Sequence, residues 1–202
     1  MTLFGRVMAL FPLSIAVSAI AVIAAGLLWH PAALPALPIV LYLWPLLAWR
    51  LHQWVFPLET GMSDLAAPEY SPWWGGHQIQ WIYIAFPALE TALRMVPGLF
   101  SLWLRLWGSR IGRGVFWTPH VEITDRSLLE LGDGVIVGHQ AGFYGHVIAP
   151  RGETLRLLVR PVRIGERAFL GAGSRFGPGV RVEAGALVPV RSELGPGRKV
   201  KA

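Results

Sequence analysis

The stretch Ile164-Gly165-Glu166-Arg167-Ala168-Phe169-Leu170-Gly171-Ala172-Gly173-Ser174-Arg175-Phe176-Gly177-Pro178-Gly179-Val180-Arg181-Val182-Glu183-Ala184-Gly185-Ala186-Leu187-Val188 decides the fold. Every sixth residue, Ile164, Leu170, Phe176, Val182 and Val188, is apolar, and Gly follows the first three. A period of six matches neither the 3.6-residue helix nor a long alternating strand, so the repeat is read before any element is assigned. Three such steps make one triangular coil of short parallel strands. The apolar residue of each step points inward, and Gly or another small residue takes the bend. Toward the N-terminus, Leu131, Val137 and Phe143 keep the interval, as do Ile111, Trp117 and Ile123.

The phase slips in two places. The step from Ile123 to Leu131 is two residues too long, and the coil between Phe143 and Ile164 counts as three residues too long. Three steps per coil set Ile123, Phe143, Ile164 and Val182 along one edge, so both loops leave neighbouring levels of that edge. His146 opens the second loop, above Asp125 and Arg126 at the start of the first. A neutral imidazole there takes the proton of an attacking hydroxyl or amine. Asp125 is close enough on this count to orient the ring, with Glu122 and Asp133 as alternatives. Backbone N–H groups near Gly142 and Gly145 are candidate oxyanion donors. His139, two residues past Val137, is a second base or a substrate-positioning group. His120 faces it from the preceding coil, but no carboxylate stands at ligand spacing, so no metal site is expected. Arg163 and Arg181, one coil apart, with Arg175 nearby, form a ladder suited to phosphates, or equally a solvated edge. Arg191 to Ala202 reads as the loop after the last coil.

The other end of the chain is of different character. From Val7 to Trp49 there is no Asp, Glu, Lys or Arg. His30-Pro31 divides this run into Val7–Trp29 and Ala32–Trp49, each near the ~20 apolar residues that cross a ~30 Å hydrocarbon core. Arg6 and Arg50 flank the pair while the turn carries no cation, which puts both flanks, and all that follows, in the cytoplasm. The first run exceeds the ~7–15-residue core of a signal peptide and a second follows at once. Pro31, Pro35, Pro38 and Pro45 argue against a soluble helical hairpin. Residues 51–110 read as a connector. Gly61–Gly76 is loop-like, and Gln78 to Leu106 predicts amphipathic helices lying in the interface, broken near Pro97-Gly98. A third crossing is disfavoured by Pro87, Glu90 and Arg94.

Composition agrees. Of 202 residues 53% are hydrophobic and only 15% charged, against roughly 25% charged in soluble domains. The absence of Cys excludes disulfides, thiolate metal sites and a Cys nucleophile. The net charge of +6 comes from scattered Arg with no basic, aromatic-interleaved run, so nucleic acid is not an expected partner.

The repeat from Ile111 to Val190 resembles the hexapeptide-repeat, left-handed β-helix acyltransferases. The resemblance implies a homotrimer with active sites between subunits, an acyl-CoA-type donor and a catalytic His at the position of His146. The run Leu102-Trp103-Leu104-Arg105-Leu106-Trp107-Gly108-Ser109-Arg110-Ile111-Gly112-Arg113-Gly114-Val115, with Leu131-Gly132-Asp133-Gly134 and Pro161-Val162-Arg163-Ile164-Gly165, is similar to the acyltransferase-like C-terminal domain of poly-lysine-synthetase-type enzymes, which also follows transmembrane helices. The chain departs from that pattern in a longer excursion between His146 and Pro161 and in carrying no adenylation or carrier domain.

The expected fold is therefore α+β: a two-helix transmembrane hairpin at 1–50, an interfacial connector at 51–110, and a left-handed parallel β-helix at 111–202. The expected function is transfer of an acyl group, acetyl included, from acyl-CoA or acyl-phosphopantetheine to a hydroxyl or amine of a lipid-linked or membrane-proximal acceptor. The expected catalytic residues are His146, His139 and Asp125, with Arg163, Arg175 and Arg181 on the donor. The expected location is a membrane, the bacterial inner membrane, with the catalytic domain cytoplasmic. The alternative is a non-catalytic membrane-anchored scaffold of the same fold. Reporter fusions test the orientation. Those after Arg6 and at Ala202 should report the cytoplasm and one near Ala33 the opposite side; an external C-terminus would remove the thioester donor from reach.

Overall fold

A strand of two residues is the shortest segment that shows one side chain to each face. That is what each six-residue step forms. In the computed structural model, which describes residues 2–202, the first residue of such a strand is typically exposed and the second buried. The strands fall into three parallel sheets. The first holds β2 (Arg110–Ile111), β5 (Leu129–Leu131), β10 (Val162–Ile164), β13 (Arg181–Val182) and β16 (Lys199–Val200). The second holds β3 (Phe116–Trp117), β6 (Ile136–Val137), β11 (Phe169–Leu170) and β14 (Leu187–Val188). The third holds β4 (Glu122–Ile123), β7 (Gly142–Phe143), β12 (Arg175–Phe176) and β15 (Glu193–Leu194). The chain visits the sheets in turn, and its core is a stack of matched columns. In one of these the Phe143 and Phe176 rings stack with centroids 5.2 Å apart.

Where Gly follows the apolar residue, it has a reason other than the bend. A Cβ on Gly165 would lie 2.4 Å from the backbone nitrogen of Ala184, and one on Gly171 equally close to that of Val190. The next coil passes directly against these positions, and hydrogen position is the only substituent that fits.

The register corrects the sequence count in three respects. Ile164 pairs with Leu131 and Val182, on the first sheet, whereas Phe143 pairs with Ile123 and Phe176 on the third. The segment from Phe143 to Ile164 is thus one step carrying a long excursion, and not a coil with three extra residues. The excursion forms an antiparallel hairpin, β8 (His146–Arg151) and β9 (Thr154–Val159), to which β1 (Gly61–Asp64) adds as a third strand. Finally, the C-terminal tail is no loop. β15 and β16 continue the six-residue step through Leu194 and Val200.

The structure has two compact units: residues through Glu59 with Ala67–Ile82, and Thr60–Ala66 with Tyr83–Ala202. In the first, Leu3–Leu28 and Pro31–Val55 are helical runs long and apolar enough to cross a membrane. The prolines coincide with changes of helix type, from a 3₁₀ turn at Pro31–Ala33 through a π turn at Ile39–Leu43 to the α-helix Trp44–Val55. His52 is buried and bonded to the Tyr70 hydroxyl at 2.7 Å.

The connector forms helices Pro72–Ala85, Ala88–Arg94 and Leu99–Trp107, with a left-handed Gly98 at the expected break. Each falls short of the ~20 residues of a crossing. The last helix buries Phe100, Trp103, Leu104 and Trp107. It closes the open end of the repeat: Arg105 donates to the Ile111 and Gly112 carbonyls, both at 2.8 Å, and Trp117 Nε1 donates to Ser101 Oγ at 2.9 Å.

Close approach at Gly165 predicts the effect of one methyl group. Gly165→Ala should destabilise the full chain by about 1–3 kcal/mol through overpacking. Gly195→Ala, where a Cβ meets nothing within 4 Å, should stay within about 0.5 kcal/mol. Thermal unfolding of the two variants in detergent compares them directly, and equal midpoints would refute the packing argument.

Candidate active site

The two-residue bulge between β4 and β5 and the hairpin root after β7 lie on adjacent levels, because Ile123 is in register with Phe143. This brings Asp125 beneath His146. Asp125 Oδ2 accepts three hydrogen bonds: from His146 Nδ1 at 2.7 Å, from the Thr124 hydroxyl at 2.8 Å and from the Gly145 N–H at 3.0 Å. Its side chain is 2% exposed and that of His146 16%. A carboxylate at Nδ1 fixes the neutral ring as the tautomer with its lone pair on Nε2. Gly145 permits the contact. A Cβ there would come within 2.8 Å of Leu128 and 3.0 Å of Asp125.

The alternatives for orienting His146 have other partners. Glu122 accepts the Tyr144 hydroxyl at 2.8 Å, and Asp133 accepts the Arg113 N–H at 2.7 Å. Burial and the bond to Glu122 push the Tyr144 phenol up to about 12, so it remains a donor. The expected oxyanion donors are already committed: Gly145 N–H to Asp125, and Gly142 N–H to the Ser174 carbonyl at 2.9 Å. Neither is available to a reacting oxygen.

His139 is not brought to this pair. It sits at the corner between the second and third sheets, exposed, its ring perpendicular to that of His120 at 5.3 Å. His120 holds a left-handed backbone, φ 59°.

Arg163 and Arg181 are in register on the outer face of the first sheet, as expected. Arg175 is not beside them: it lies on the third sheet, between Gly142 and Glu193, because it precedes the apolar residue of a different step. The third rung is Lys199, paired with Arg181. Arg160, Arg163, Arg181 and Lys199 line a groove of about 360 Å³. Glu130 partly offsets the ladder, accepting from Arg163 Nε at 2.9 Å. Lys199 stands one coil, eighteen residues, after Arg181, so the signal was present in the repeat but hidden by reading the tail as a loop.

A second feature had no sequence signal. Arg126, next to Asp125, is 1% exposed and forms a two-pronged pair with Glu90, at 2.7 and 2.9 Å. Trp103 Nε1 also donates to Glu90, and the Tyr83 ring lies 5.0 Å from the Arg126 guanidinium. Removing one partner of so buried a pair typically costs about 3–5 kcal/mol.

No family model matches the chain, and no curated protein does. Similar solved structures exist at low identity. A hexapeptide-repeat-containing acetyltransferase from Vibrio cholerae O1 biovar eltor, complexed with acetyl coenzyme A, is 15% identical with a TM-score of 0.41, covering 62% of this chain and 84% of that one. A galactoside acetyltransferase in complex with coenzyme A is 12% identical with a TM-score of 0.36, covering 57% and 75%. A maltose O-acetyltransferase from Clostridium difficile 630 is 12% identical with a TM-score of 0.29, covering 60% and 83%.

Proposed function

We propose that this protein is a membrane-anchored acyltransferase. In this reading residues 1–50 are a transmembrane hairpin, 51–110 an interfacial connector, and 111–202 a cytoplasmic left-handed parallel β-helix that works as a homotrimer. The observation that carries it is the His146–Asp125 pair at the root of the hairpin. Nε2 of His146 takes the proton of an acceptor hydroxyl or amine as that group attacks the thioester carbonyl. The tetrahedral intermediate then collapses, the C–S bond breaks, and the imidazolium returns the proton to the leaving thiolate. The products are the acylated acceptor and a free thiol, either coenzyme A or a carrier phosphopantetheine. Asp125 stabilises the imidazolium and holds its orientation.

The cation ladder supports a phosphate-bearing donor. Rungs on adjacent strands are ~4.8 Å apart, a spacing suited to consecutive phosphates, and forked Arg donors bind them bidentately. The two apolar helices support an acceptor drawn from the membrane. His139 serves as a positioning residue in this reading. The exposed column Phe116, Ile136, Phe169 and Leu187 on the second sheet supports self-association, because an unbroken apolar row across a sheet face is costly in water.

Steady-state hydrolysis of acyl-CoA by the purified protein tests the chemistry. His146→Ala should lower kcat by roughly 10²–10⁴ with an unchanged melting temperature, and Asp125→Asn should fall between it and wild type. His139→Ala should raise KM and keep kcat. The Arg181→Gln/Lys199→Gln protein should raise KM for acyl-CoA about tenfold or more, yet leave a phosphate-free acyl thioester unaffected. Near-normal turnover in His146→Ala would overturn the assignment and favour a scaffold. Separately, Phe169→Asp should convert a trimer in detergent to monomers, measured by analytical ultracentrifugation. A wild-type monomer would remove the oligomer from the proposal.

A further inference from the structure

Between the helix Ala88–Arg94 and the first coil lies a cavity of about 240 Å³, walled by Glu90, Arg94, His120 and Arg126 beside the apolar Ile84 and Ile123. Its charges are unevenly matched. Glu90 is taken up by Arg126 and Trp103. Glu122, also on the wall, accepts from Tyr144. Arg94 faces neither carboxylate at hydrogen-bonding distance. Its Nη2 donates to the Val121 carbonyl at 2.9 Å, its guanidinium lies 4.1 Å from the Phe100 ring centroid, and its Nε is buried without a hydrogen-bond partner. Burial lowers its pKa, an effect opposed by Glu90 and reinforced by Arg126.

A cation held by a carbonyl and a ring is already ordered, so little side-chain entropy remains to be lost when a ligand arrives. Its fork matches anionic oxygens, and the surrounding low-dielectric wall strengthens such a bond. The volume limits the ligand. At ~30 Å³ per water the cavity holds roughly eight waters' worth, below the ~300–1,000 Å³ of drug-sized sites.

We propose that this cavity binds a small organic anion, a carboxylate or phosphate monoester on a short apolar body, with Arg94 as the residue that recognises the charge. The site is separate from the cation ladder, which lies on the first sheet, and it stands whether or not the acyl-transfer reading holds.

The test uses the full chain in detergent, with sodium butanoate and butyl phosphate as probes and sodium chloride at matched ionic strength as reference. Calorimetric titration should show saturable binding of at least one probe, and that probe should raise the melting temperature. The two arms separate carboxylate from phosphate chemistry. Arg94→Gln should weaken binding roughly tenfold or more. Ile84→Trp, which fills the cavity and leaves Arg94 in place, should abolish it, and this variant decides the matter if Arg94→Gln does not fold. Arg151→Gln, which removes an exposed cation from the hairpin, should bind as wild type does. Absence of saturable binding, undiminished binding in Ile84→Trp, or loss in Arg151→Gln alone would each overturn the proposal.

Discussion

The rise from one coil to the next is a single strand spacing, ~4.8 Å, and the rest of the second unit depends on that constraint. Backbones this close leave no room for a Cβ at Gly165 against Ala184 or at Gly171 against Val190. They also leave no room for an extra residue within a step. A coil that gained one would lose register with both neighbours, and every buried residue beyond would rotate out of its column. Insertions are therefore expelled whole at a corner. The two in this chain leave the third sheet at neighbouring levels, and that is why Asp125 and His146 meet.

A stack of coils has ends, and the first coil needs a cover for its core and its strand carbonyls. The helix Leu99–Trp107 supplies both, the aromatic residues packing while Arg105 satisfies Ile111 and Gly112. The bulge between β4 and β5 is fixed from the same side. Its consecutive residues Asp125 and Arg126 engage different partners, His146 and Glu90. Desolvation offsets much of the attraction in a buried ion pair of this kind, but its two-pronged geometry holds one arrangement of the bulge, and so one position for the carboxylate under the imidazole.

The repeat was legible because its period is strict where the chain is buried on one side and close-packed on the other. Leu131, Val137 and Phe143, and Ile164 through Val188, each keep the six-residue step that their spacing predicts, although Ile164 and Val182 stack on Leu131 and not on Phe143. The proximity of Asp125 and His146 was legible too, since it needs only the register of Ile123 with Phe143. The length of the excursion was not, because β8 pairs antiparallel with β9, and β9 with β1 some ninety positions earlier, and such pairing leaves no periodic mark. Glu90 with Arg126 escaped for the same reason. Arg175 was misplaced by treating its neighbourhood in sequence as neighbourhood in space. In a three-sided coil, positions six apart lie on different faces and only those eighteen apart stack.

The excursion also joins two features that its length in sequence separates. It leaves the coil at Gly145-His146 and returns at Arg160, whose N–H donates to the Gly145 carbonyl at 2.8 Å. The departing root carries the imidazole and the returning root leads directly into Arg160 and Arg163 of the cation groove. In the proposed reading, a donor stretched across the corner between the third and first sheets sets its phosphates against the returning strand while its thioester reaches the departing one. Such an arrangement needs the roots held together, and the ladder β8–β9, closed by His146 opposite Val159, holds them. In that reading the hairpin is the element that fixes the distance between His146 and the groove, and not an insertion the coil merely tolerates.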